Sequence, residues 1–278
     1  QKINRKNAIP EDDFKKLAES YFAQKTKKIK ARRFIQKNKI AIVAALAVFF
    51  IAISALTGTA KRLSNLPTTQ GLSSLEALEV FYSAIHGLDV ELLQESCKGK
   101  EVEGIKNVVS AMYVTNKTRE GYSGELTFTP EKWFSVMASA DNFRKLPWMY
   151  GLTNVVIDGG KANLQKEIPK RKDKLLPVME DGKLPQSGDE KKYTAKYFRI
   201  FTHGEDALLT IEKTEDFITE IFEKGRWIVN SAESTVISTE EIQMQKVYEA
   251  YQKALSVNGG NAEKAKLSLK ENFTWMPD

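Results

Sequence analysis

The stretch FITEIFEKGRWIVN, Phe217 to Asn230, reads as two strands folded about a tight turn. Phe217 to Phe222 and Arg226 to Asn230 are rich in aromatic and β-branched residues, and Glu223-Lys224-Gly225 separates them at hairpin spacing. Working upstream, Tyr193 to Phe201 is strand-like and ends in the turn Thr202-His203-Gly204-Glu205-Asp206. Thr153 to Ile157 is another strand, turning at Asp158-Gly159-Gly160, with Lys161 to Ile168 returning from it. Between these strands, residues 169–192 are rich in Lys, Asp, Pro and Gly and are expected to form a mobile insertion. Its Lys170, Arg171, Lys172 and Lys174 either meet an anionic partner or are simply solvated.

Helices flank the strands. Ser73-x-x-Glu76 fits a capping box, and Leu75, Leu78, Phe81, Tyr82 and Ile85 then share one face, with Glu76, Glu79, Ser83 and His86 opposite. Gly87 is the expected stop, Val90 to Leu93 starts a second helix, and Gly104 to Met112 a third. Ser238-x-x-Glu241 is a second capping box, opening a helix that carries Met244, Val247, Tyr248, Tyr251, Ala254 and Leu255. Helices, then antiparallel strands, then a helix define an α+β chain.

Charge divides the chain. Residues 1–39 hold 13 Lys/Arg and four acids, a net +9, while the remainder holds 29 basic and 32 acidic residues, a net −3. A slightly acidic body argues against nucleic acid as a partner. Ile40 to Ala60, IAIVAALAVFFIAISALTGTA, is 21 residues without a charge, about 30 Å as a helix and enough to cross a bilayer. The positive-inside rule then places residues 1–39 in the cytoplasm and the rest outside it, at the inner (plasma) membrane with a periplasmic or extracytoplasmic domain. Within the tail, Phe14, Leu17, Tyr21 and Phe22 lie on one helical face, either to meet lipid or a partner, or as part of a merely solvated topology signal. The organisation read from sequence is a basic tail (1–39), a transmembrane helix (40–60), a linker (61–72), a folded domain (73–237, with insertion 169–192) and a C-terminal helical extension (238–278).

Chemistry-bearing motifs are sparse. One cysteine, Cys97, precludes an intrachain disulfide and reads as a structural thiol; His86 and His203 lie far apart without metal-ligand spacing. No catalytic, cofactor-binding or metal residue is assigned. His86 and Asp89 read as a helix corner, with Asp89 capping the second helix and His86 on the outward stripe. Tyr82, Trp133, Trp148, Tyr150 and Trp227 are candidate pocket or interface residues, with core packing as the alternative.

Ala77 to Gln94 (ALEVFYSAIHGLDVELLQ) and Phe217 to Ser234 (FITEIFEKGRWIVNSAES) together resemble the NTF2-like superfamily, the SnoaL and ketosteroid-isomerase-like fold. The resemblance implies a curved antiparallel sheet wrapped by helices into a cone, with Trp227 packed under the sheet. Behind a basic tail and one span, the layout is similar to that of VirB8-like components of type IV secretion machines; the 169–192 insertion and the C-terminal helix depart from it. The expected function is non-enzymatic protein–protein assembly in an envelope or secretion-type complex, with the bilayer, other envelope proteins and copies of itself as partners. The alternative is a small-molecule binder or isomerase/hydrolase-like enzyme using a carboxylate or histidine inside the cone, with Asp141 or Asp158 as the candidate carboxylates. A weaker third reading is polysaccharide binding through exposed aromatics.

Overall fold

The computed structural model describes residues 11–38, 48–50, 54, 57–204 and 208–277. It divides into two units, Gln1–Leu63 and Ser64–Asp278. The first contains helix α1, Glu11–Lys37, with Tyr21 and Phe22 exposed and the Lys25 ammonium 4.9 Å from the Tyr21 ring centre. The side chains of Phe14 and Leu17 lie outside the described residues, as does most of the expected span Ile40 to Ala60. Among the described residues no helix is long and apolar enough to cross a membrane.

The second unit is α+β. In chain order it holds α2 (Ser74–Gly87), α3 (Val90–Ser96), α4 (Glu103–Ser123), β1 (Thr127–Phe128), α5 (Pro130–Met137), β2 (Trp148–Ile157), β3 (Gly160–Lys161), β4 (Glu190–His203), β5 (Leu208–Glu223), β6 (Arg226–Gln243), α6 (Met244–Val257) and α7 (Ala262–Lys270). The sheet runs β1-β2-β4-β5-β6, with β3 a stub on β2; β1 is parallel to β2 and every other pairing is antiparallel. Strand parity sorts side chains into two cores. Tyr150, Leu152, Tyr197, Ile218 and Phe222 face α2 and α3, whereas Met149, Ile200, Leu209 and Ile211 face α5, α6 and α7.

Local chemistry explains the elements. Ser73 caps α2 by accepting from Glu76 N while the Glu76 carboxylate accepts from Ser73 N at 2.8 Å, the expected capping box. Two of the hairpin turns, β2–β3 and β5–β6, have two residues at positive φ, Asp158-Gly159 and Lys224-Gly225, the type I′ geometry that matches strand twist. At a β2 bulge Asn154 sits at φ +52° and its amide donates to the carbonyls of Thr274 and Met276, at 2.9 and 3.1 Å, binding the C-terminal segment to the sheet.

Several expectations are corrected. Gly87 remains helical, and the left-handed cap is Leu88 at φ +53°, a strain offset by burying its side chain in the first core. Lys161 to Ile168 forms no full return strand, since β3 ends at Lys161. The Ser238–Glu241 motif opens no helix: β6 continues through residue 237 to Gln243, so the sheet crosses the boundary expected there. Residues 67–72 are built into the fold, with Thr69 Oγ1 donating to Trp227 O at 2.8 Å.

Gly151 marks a close contact between layers. A Cβ there would lie 2.5 Å from Pro130 Cδ and 3.1 Å from His86 Nδ1. Gly151→Ala is therefore expected to lower stability by about 1–3 kcal/mol through overpacking, read as a lower urea midpoint with unchanged slope.

Candidate functional site

Strand β5 carries Thr214, Asp216, Ile218, Glu220 and Phe222 at alternating positions, so two acids share the face that packs on α2. Both are completely buried. Asp216 accepts from Tyr82 Oη at 2.8 Å and Tyr197 Oη at 3.3 Å. Burial raises its carboxyl above the ordinary range, against the opposing pull of hydrogen bonds from Ser234, Tyr82 and Tyr197. The same burial, with the neighbouring carboxylate, pushes both tyrosine hydroxyls well up. The three groups form a satisfied knot joining α2, β4 and β5.

Glu220 is two pleat repeats further on, past Ile218. Tyr193 Oη donates to Ser74 Oγ at 2.8 Å, and Ser74 Oγ donates in turn to Glu220 Oε2. Its other oxygen, Oε1, has no partner among the described residues. Burial pushes the Glu220 carboxyl up to about 8, the Ser74 hydrogen bond opposing and nearby Glu180 reinforcing the shift; Lys191 opposes it. Glu220 is thus a neutral acid at pH 7, held inside the protein with no exposed atom from which to exchange a proton with a substrate.

Two open concavities lie on either side of β1, and a smaller one, of about 310 Å3, is lined by Asp158, Tyr193, Phe217 and Glu233. Of the two beside β1, one, of about 960 Å3, is lined by Glu125, Phe128, Phe143, Arg144 and Trp148; the other, of about 440 Å3, by His86, Tyr113, Lys117, Lys132 and Tyr150. Their charges are largely spent within the protein. The Arg119 guanidinium stacks 3.5 Å above the Trp148 ring, whose Nε1 donates to Glu125 at 3.1 Å, and Lys132 lies 4.1 Å over Phe128. Among the described residues no three His, Cys, Asp or Glu side chains gather as metal ligands.

The candidate residues from sequence separate into three places. Tyr82, Tyr150 and Trp227 belong to the first core, Trp133 to the second with its Nε1 donating to Pro147 O at 2.8 Å, while Trp148 lines the larger cleft and Tyr150 also borders the smaller one. Asp89 caps α3 by accepting from Leu92 N at 2.9 Å. His86 does not lie on an outward stripe: its side chain is 13% exposed and wedged between layers. With the proton on Nε2, directed at Glu131 3.4 Å away, Nδ1 accepts from Leu152 N at 3.1 Å. Burial works to raise the Glu131 carboxyl, and the His86 contact together with hydrogen bonds from its own backbone and Thr129 outweighs it, holding it below the usual range. Asp141 is solvent-exposed and Asp158 serves its turn, accepting from Thr194 N at 2.8 Å. Cys97 is buried, its thiol donating to Leu93 O at 2.9 Å and pushed up to about 11. Tyr21 and Phe22 are exposed on α1.

Asp216 and Glu220 escaped sequence reasoning because acids in a Thr-Glu-Asp-Phe-Ile-Thr-Glu run look like an outer face. The available signal was parity: counting back by twos from Phe222 reaches both. No family model, curated protein or solved structure matches this chain.

The Glu220 shift carries a sign. Because its folded value lies above the free value of 4.5, the native state holds a proton that the unfolded chain releases, so its stability contribution is full below about pH 4.5 and lost as pH rises through about 8. Glu220→Gln is expected to flatten the loss of melting temperature between pH 6 and 9, measured by thermal unfolding across pH; an unchanged slope would count against the buried neutral acid.

Proposed function

We propose that this chain is a single-pass membrane protein whose NTF2-like outer domain assembles with other envelope proteins or with copies of itself, in a layout similar to VirB8-like secretion components. The α+β sheet with helices packed on its faces is compatible with that cone. The +9 tail and the uncharged stretch from Ile40 to Ala60 support an inner-membrane anchor with a cytoplasmic N-terminus and an extracytoplasmic domain.

One observation carries the assembly reading. β6 is a sheet edge, and past Val229, where it bridges Cys97, it pairs with no outer strand among the described residues. Glu233 to Glu241 is exposed throughout, including Val236 at 45% and Ile237 at 51%. From Glu233 to Gln243 this edge runs about 35 Å, a template for main-chain pairing with an added strand. The sealed position of Asp216 and Glu220 favours contact over turnover.

Photo-crosslinking in cells tests this. A photoreactive residue at Val236 of the full chain is expected to give discrete adducts, whereas one at exposed Leu267 on α7 gives few. Adding Ile237→Pro to the chain carrying the photoreactive residue at 236 should reduce adduct yield at least several-fold without lowering the melting temperature. A monomer in mild detergent with no adduct at Val236 would refute the reading.

A further inference from the structure

The insertion between β3 and β4 is clamped at two points. At the first, Thr68 N donates to Pro169 O at 2.9 Å, Arg171 N donates to Leu66 O at 3.0 Å, and the Arg171 guanidinium pairs with buried Glu95 at 2.6 Å. At the second, Glu180 accepts from Ser74 N and pairs with Lys191, both at 2.5 Å. The segment expected to be mobile is therefore tied down on both sides of residues 172–179.

What projects between and just beyond the clamps is apolar and basic. Leu175 folds back on Gly71, where an added Cβ would lie 2.3 Å from Leu175 Cβ. Leu176, Met179 and Leu184 point outward, exposed at 84%, 61% and 58%. Lys172, Lys174 and Lys183 flank them, are exposed, and make no ion pair among the described residues. Of the nearby acids, Glu180 is spent in its clamp, Asp173 accepts from Lys170 N at 2.8 Å, and Asp181 is exposed in the turn between Glu180 and Lys183. Ordered leucine and methionine tips ringed by free ammonium groups match the boundary of an anionic bilayer, where the apolar tips enter the acyl edge and lysine stems reach back to phosphate.

Position along the chain supports the same occupant. The first clamp pairs with Leu66, six residues after Ala60. By covalent length alone, a span ending at Ala60 leaves that clamp within about 20 Å of the membrane. We propose that the loop around Leu176 and Met179 inserts at an anionic lipid surface as a second, reversible contact beside the anchor. This inference rests on the single-pass reading.

The test uses the full chain in vesicles, with an environment-sensitive fluorophore on Leu176→Cys and comparison labels on Leu267→Cys and Phe50→Cys. Cys97 is buried and stays in place. In phosphatidylglycerol-containing vesicles, doxyl-lipid quenching at residue 176 is expected to exceed that at 267 at least threefold. It should fall by half or more in pure phosphatidylcholine or with Lys172→Glu and Lys174→Glu. Quenching at 50 but not at 176 overturns the loop contact and leaves the span standing. Absence of quenching at both sites overturns the span and the inference with it. If 176 is unquenched by lipid yet shielded from iodide, a protein covers the loop and the lipid contact is refuted.

Discussion

At Lys224 and Gly225 the chain reverses with φ of +54° and +79°, and the two-residue turn sets Glu223 opposite Arg226. That pairing determines the register of the whole β5–β6 ribbon. Because side chains alternate across a strand, a slip of one residue would exchange Asp216, Ile218, Glu220 and Phe222 for Glu215, Phe217, Thr219 and Ile221. The Asp216 knot with Tyr82 and Tyr197 would then have no acceptor, and Phe222 would leave its edge-on contact with Trp227, 5.3 Å between centroids. Beyond the turn, β6 leaves Asn230 and Ile237 out of register, and these bulges re-aim its outer half.

Two consequences of that register oppose each other energetically. On the inner face, buried acids demand partners, and hydroxyls from three elements answer for Asp216, while Glu220 keeps its proton instead. Such groups give specificity to the packing of α2 on the sheet, since a shifted helix would strand a carboxyl. At the outer edge the same ribbon overshoots the helices that cover its first half, leaving backbone groups of residues 233–243 available. The interior is closed to ligands where the acids are, and the surface is open where the backbone is.

Legibility in the sequence followed how local each determinant is. The hairpin turn, the Ser73–Glu76 box and the Asp89 cap depend on a few neighbouring residues, and all three were visible. The Ser238–Glu241 motif has the same spacing as a true box, yet its residues extend a strand, because pairing with β5 from Lys213 to Thr210 prevails over local helix capping. His86 was placed on the wrong side because Gly151 across the interface lacks a side chain, opening a slot no helical wheel can reveal. Leu88 took the left-handed cap although Gly87 was beside it, since only the leucine has a side chain to bury there. The buried acids were hidden by composition: a carboxylate surrounded by Thr and Glu looks solvated until the register is known.

The second core is closed by the end of the described chain. Trp275 stacks near Phe134 at 6.0 Å, Thr153 Oγ1 donates to Trp275 O at 2.6 Å, and Asn154 grips the carbonyls on either side. Residues 133–137 and 149–154 thus wait for partners made roughly 120–140 residues later. During synthesis at about 5–20 residues per second, α5 and β2 would stay half-covered for several seconds or more, a window in which a chaperone has reason to shield them.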